Sequence, residues 1–100
     1  MLYITVKLYG RTGQRGEFMD YEAKALAIFR KHGGEILVAY VPTFEKNQSE
    51  RPDEIQILKI SNRSAFEKFL NDSDRIKMAD ERNQVINRTE VYLSEEIISY

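Results

Sequence analysis

The sequence predicts a single α+β domain, and three observations carry that expectation. Its hydrophobic patterns run in the order strand, helix, strand, strand, helix, strand. The junction His32-Gly33-Gly34 ends the first helix and launches the second strand. A chain of 100 residues, 42% of them hydrophobic, is long enough for one core and too apolar for disorder.

Residues 2 to 9 alternate, with Leu2, Ile4, Val6 and Leu8 on one face and Tyr3, Thr5, Lys7 and Tyr9 on the other. An aliphatic face backed by a tyrosine-bearing one suggests helices on one side and a second sheet, from another subunit, on the other. The segment from Gly10 to Gly16 is a glycine-rich loop. A helix follows from about Glu17 to His32, with Phe18, Tyr21, Ala25, Ile28, Phe29 and His32 on one stripe and Glu22 near its edge. Gly33 suits a left-handed C-cap, because glycine takes positive φ at little cost.

The apolar run in residues 35 to 42 predicts a central strand buried on both faces. Thr43 to Asp53 is polar, contains Pro52 and reads as an exposed connection. Glu54 to Ile60 predicts a third strand, antiparallel to the second. Asn62 is the expected N-cap of a short helix that buries Phe66, Phe69 and Leu70, and Ser64 to Glu67 is an alternative capping box. Asn71-Asp72-Ser73 interrupts that helix and caps a further segment from Asp74 to Asn83. Residues 88 to 94 alternate as a fourth strand. The last six residues include Ile97, Ile98 and Tyr100, which suits packing on the sheet edge or on a neighbour.

Composition narrows the function classes. With 15 basic and 16 acidic residues interspersed, the chain has no basic face of the kind that nucleic-acid binding requires. No apolar run reaches the roughly 18 residues of a membrane span, and the amino terminus reads as a strand rather than a signal peptide. The absence of cysteine removes disulfides, thiolate nucleophiles and thiolate metal ligands, and it fits a reducing cytoplasm. No spacing suggests a metal site.

Four residues stand out as candidates. His32 is the sole histidine, so any imidazole chemistry must use it. It suits a general acid or base at the mouth of a sheet–helix pocket. It equally suits a helix-end cation complementing the dipole, the commoner role at such a position. Glu22 beside an apolar stripe is placed for a raised pKa and proton transfer, or for an exposed rim position. It lies roughly 15 Å along the helix from His32, too far for a dyad. Tyr9 and Tyr40, with Tyr92, fall on three strands and suit ligand contact, an interface or core packing.

The layout, with Tyr21-Glu22-Ala23-Lys24-Ala25 before His32-Gly33-Gly34 and Ser61-Asn62-Arg63-Ser64-Ala65-Phe66 after the third strand, resembles a known group. It is similar to the small uncharacterised "domain of unknown function" proteins of the dimeric α/β-barrel superfamily. That superfamily also holds cofactor-independent antibiotic-biosynthesis-type monooxygenases, haem-degrading enzymes and muconolactone isomerases. The resemblance implies a ferredoxin-like β-α-β-β-α-β protomer with a four-stranded antiparallel sheet, helices on one face and a homodimer formed through the other. It further implies oxidation or isomerisation of a small organic molecule without a cofactor. His32 would then be the proton-transfer group, with Tyr9, Glu22 and Tyr40 shaping the ligand site. The alternative is a non-catalytic ligand-binding or protein-interaction module. Haem-degrading members commonly use a tryptophan, which this chain lacks. Two groups sharing the topology are excluded: Met19 stands where acylphosphatases need an arginine, and Glu54 to Ile60 lacks the aromatic pattern of RNA-recognition domains.

Overall fold

The computed structural model of the chain describes residues 1–43 and 50–100. The elements are β1 (Leu2–Gly10), α1 (Arg15–Lys31), β2 (Glu35–Tyr40), β3 (Glu54–Ile60), α2 (Arg63–Leu70), α3 (Ser73–Lys77), α4 (Ala79–Val85) and β4 (Ile86–Ser94). Four antiparallel strands form one sheet in the order β2-β3-β1-β4, and the helices cover one face. This is the expected ferredoxin-like α+β arrangement. Among the described residues, no helix is long and apolar enough to cross a membrane.

The alternation in β1 sets the layers. Leu2 pairs with Ile60 and Ile4 with Leu58, so the aliphatic phases of β1 and β3 meet beneath the helices. Burial there, at about 25 cal/mol per Å² of apolar surface, supplies the main stabilising term. The core forms two clusters. Leu2, Ile4, Phe29, Leu58 and Ile60 make one, and Leu8, Phe18, Tyr21, Val85 and Ile86 the other, with Val6 packed against both.

Helix α1 ends as the glycine pair dictates. His32 is the C-cap, Gly33 has φ 85°, and the N–H groups of Gly33 and Gly34 donate to the carbonyls of Arg30 and Phe29. That is the Schellman pattern, which satisfies two otherwise orphaned carbonyls. The Phe29 ring packs directly on Gly34, where any side chain would collide with it. At the other end of β1, Asp53 accepts from the Gly10 N–H and returns its own N–H to Leu8. Asn62 caps α2 by accepting from the Ala65 N–H at 2.8 Å.

Four details depart from the sequence expectations. Strand β2 is an edge strand, not a central one, and Leu37, Val38, Tyr40 and Val41 are exposed around a bulge at Leu37. Ile36 packs against the core, whereas Val38 and Tyr40, paired with Ile57 and Ile55, lie on the sheet face away from the helices. The segment expected as one helix over residues 74 to 83 is two, α3 and α4, meeting at Met78. Strand β4 starts at Ile86, two residues earlier than expected. The final residues leave Ile97, Ile98 and Tyr100 exposed rather than packed on the sheet edge. Part of the connection from Thr43 to Asp53, residues 44–49, lies outside the described residues.

Candidate functional site

A cavity of about 110 Å³ lies between the sheet and the helices, bordered by both core clusters. Its walls are mostly aliphatic and aromatic. Five polar side chains interrupt them: Glu22 from α1, Gln56 from β3, Arg75 from α3, Arg82 from α4 and Thr89 from β4. An apolar hollow with a few convergent polar groups is the usual form of a small-molecule site.

The helical period explains Glu22. It follows Phe18 by four residues and precedes Phe29 by seven, so it falls within the inward stripe and is only 9% exposed. Gln56 shares the inward phase of β3 with Leu58 and Ile60 and is buried. Its amide donates to Glu22 Oε1 at 2.8 Å and to Glu54 Oε2 at 2.7 Å. Burial disfavours the Glu22 carboxylate and pushes its pKa up to about 7; the Gln56 hydrogen bond opposes that rise, and the nearby charge of Glu54 adds to it. Arg82 and Arg75 pull weakly in the other direction. Burial, followed by the Glu22 charge, also raises the neighbouring Tyr21 phenol. A carboxyl that titrates near neutrality in a dry hollow can hold or release a proton at ordinary pH.

His32 lies elsewhere. It does not line the cavity but sits at the end of α1, where its Nε2 is 2.7 Å from Asp72 Oδ2. A carboxylate only accepts, so Nε2 carries the hydrogen. The same oxygen accepts from Lys31 Nζ at 2.9 Å, and Asp72 Oδ1 accepts from the Asp74 N–H. These bonds, led by that from His32, hold the Asp72 carboxyl well below the usual carboxylate range. Asp72 thereby ties the C-terminus of α1 to the N-terminus of α3.

Tyr9 and Tyr40 occupy the opposite sheet face, beside Lys7 and Ile55 in a shallow depression. The Arg88 guanidinium stacks 4.0 Å from the centroid of the Tyr9 ring. The candidates His32, Glu22, Tyr9 and Tyr40 therefore divide among three places, and of these Glu22 alone lines the sheet–helix cavity. Gln56, Arg75 and Arg82 were not singled out from sequence. For Gln56 the signal was present: a glutamine in the core-facing phase of an alternating strand. The arginines carried none, since basic residues in short helical segments ordinarily read as solvated.

No family model matches the chain, and no curated protein matches it either. Solved structures do. A protein of unknown function from Rhodopseudomonas palustris superposes with a TM-score of 0.81 at 13% identity, covering 98% of this chain and 83% of that one. A NIPSNAP domain protein from Burkholderia xenovorans gives 0.70 at 11% identity, covering 97% and 95%. SnoaB, a cofactor-independent oxygenase from Streptomyces nogalater, gives 0.70 at 15% identity, covering 98% and 94%. At such identities the likeness concerns the fold. The chain thus has the ferredoxin-like fold that uncharacterised NIPSNAP-type proteins share with a cofactor-independent oxygenase.

Proposed function

We propose that the chain binds a small organic molecule in the sheet–helix cavity and moves a proton on it through Glu22, without a cofactor. The observation that carries this reading is the burial of Glu22 against an apolar hollow with a single amide donor. The hollow suits a compact ligand. A cavity of roughly 150 Å³ accommodates benzene, so about 110 Å³, open to solvent on one side, holds a short chain or part of a single ring.

The chemistry follows from the group. The Glu22 carboxylate takes a proton from a carbon beside a carbonyl: the C–H bond breaks, an O–H bond forms, and the electron pair delocalises as an enolate. Returning that proton to another carbon of the conjugated system completes an isomerisation. Where dioxygen reacts with the enolate first, a C–O bond forms and the peroxide takes the proton back from Glu22. Loss of water then leaves a carbonyl, so that CH₂ and O₂ become C=O and H₂O. SnoaB, a cofactor-independent oxygenase, has the same fold, which supports oxygenation of this kind without a cofactor. A pKa near the working pH is what a general base of this kind requires.

A second copy of the chain is the proposed cover for the outer sheet face, and two features support it. Exposed Val38, Tyr40 and Tyr92 lie there among charges of both signs, including Lys7, Lys59, Glu35 and Glu90. Four strands at ~4.8 Å spacing and roughly 25–30 Å long offer about 500–600 Å² in plan, the same order as the ~800 Å² per partner of a standard interface.

The test of proton transfer is deuterium exchange into single-ring and short-chain carbonyl compounds in D₂O, followed by proton NMR. Exchange at an α-carbon above the solvent rate, and lost in Glu22→Gln, is the expected result. Exchange with no compound, or exchange that survives Glu22→Gln, contradicts it. Binding without exchange would make the chain a ligand-binding module.

A further inference from the structure

The cavity has a second polar feature that proton transfer by Glu22 does not use. Arg75 and Arg82 reach it from α3 and α4, the wall apart from Glu22, and both are half-buried. Among the described residues, each makes a single side-chain hydrogen bond, to a neutral group. Arg75 Nη1 donates to the Leu70 carbonyl at 3.1 Å, and Arg82 Nη2 donates to Thr89 Oγ1 at 2.8 Å. Among the described residues, neither guanidinium has a carboxylate within 4.0 Å, in contrast to Arg63 and Arg88, which are paired on the surface. A guanidinium offers five N–H donors in a planar fork suited to a carboxylate, so most of these donors remain available.

Two half-buried cations with no carboxylate in direct contact, beside an apolar hollow, point to an anion supplied from outside. The Arg75 guanidinium also lies 5.2 Å from the Phe69 ring centroid, a stacking contact that fixes its plane beside the apolar wall. We infer that the ligand of this cavity is a small organic acid, with its carboxylate on Arg75 and Arg82 and its apolar body among Leu26, Phe66, Phe69 and Leu70. The inference rests on the cavity being the ligand site, as proposed above. It is independent of whether Glu22 then transfers a proton. The acid's negative end meets α3 and α4 while its carbon skeleton faces α1 and α2.

The experiment compares benzoate with its neutral counterpart benzamide, each titrated against the intact chain at pH 6 and followed by protein chemical-shift changes. Benzoate is expected to bind at least tenfold more tightly than benzamide. The Arg75→Gln, Arg82→Gln double variant should lose that tenfold preference, and a parent-like dispersed amide spectrum reports that its fold is intact. Arg82→Lys, which keeps the charge but not the fork, should retain part of the preference. Equal affinity for the two probes, or a preference that survives the double variant, overturns the organic-acid assignment and leaves the cavity as a neutral-ligand site. Binding of neither probe overturns this assignment and the ligand-cavity reading together. Benzoate preference without Glu22-dependent deuterium exchange leaves the acid assignment standing and removes only the proton transfer.

Discussion

Gln56 Nε2 lies 2.8 Å from Glu22 Oε1 and 2.7 Å from Glu54 Oε2, so one amide group serves two carboxyl groups at the floor of the sheet–helix cavity. The relationship decides how Glu22 behaves. A buried carboxylate with several donors would stay ionised, whereas one with a single shared donor protonates early. The resulting pKa of about 7 makes Glu22 a stability liability as well as a proton carrier.

Stability should record that liability. Between pH 4.5 and about 7 the folded chain keeps a proton that the unfolded chain has released, so stability falls as pH rises through this window and levels off above it. The fall attributable to Glu22 is about 3 kcal/mol. Glu22→Gln should remove it, giving a flatter profile and a higher Tm than the parent at pH 8. Thermal unfolding across pH 4 to 9 measures this, and parallel profiles for the two chains would contradict it.

Asp72 should act with the opposite sign. Its carboxyl is only 5% exposed and is held below its ordinary value of 3.8 by His32 first and Lys31 second. The stability it contributes is present above that ordinary value and is lost as pH falls toward the depressed folded value. Asp72→Asn should therefore lower Tm at pH 7 and lower it much less at pH 2. It should leave deuterium exchange at the cavity in place, since the pair joins α1 to α3 and does not face the ligand. Loss of exchange at a temperature where the variant is folded would restore His32 as a proton-transfer candidate.

The glycine pair gives a third expectation. A side chain at Gly33 must adopt φ near 85°, which costs roughly 1–2 kcal/mol for an L-residue. Gly33→Val should cost at least that much, because a branched Cβ fits the left-handed region poorly. Gly34→Ala should cost about 1–3 kcal/mol for a different reason, the collision of its Cβ with the Phe29 ring. Each kcal/mol corresponds to a Tm shift of roughly 4–8 °C in a domain of this size. Chemical denaturation of both variants checks the two costs, and parent-like stability in either would refute the packing described.

The outer sheet face yields a fourth. Tyr40 is 45% and Tyr92 54% exposed, on the face proposed to meet a second copy of the chain. Sedimentation at micromolar concentration should give twice the mass of one chain. Val38→Asp, on the edge strand of that face, should shift the equilibrium toward monomer at least tenfold. A parent chain that sediments as a monomer would remove the second copy.

Much of the fold was legible because it is local. The alternation of β1, the Asn62 cap and the Gly33 terminus each follow from residues within one or two turns of one another. Strand β2 was misplaced because an apolar run has the same appearance whether strands flank it on both sides or on one side only. The break at Met78 carries no glycine or proline, so no turn signal marked it. The site was legible only in part. Glu22 was readable as an edge residue of the stripe, but its burial depends on Gln56, 34 positions away, and on the sheet beneath it. His32 attracted notice by being unique, while the partner that defines its role, Asp72, lies 40 residues further on.

The most direct test is titration of the Glu22 side-chain carboxyl by carbon-detected NMR of the labelled chain, assigned with Glu22→Gln. A midpoint near 7 is expected, the value that burial against the cavity imposes and that proton transfer at neutral pH requires. A midpoint near 4.5, the ordinary value for a solvated glutamate, would mean that water reaches the carboxylate freely, and it would remove Glu22 as the proton carrier.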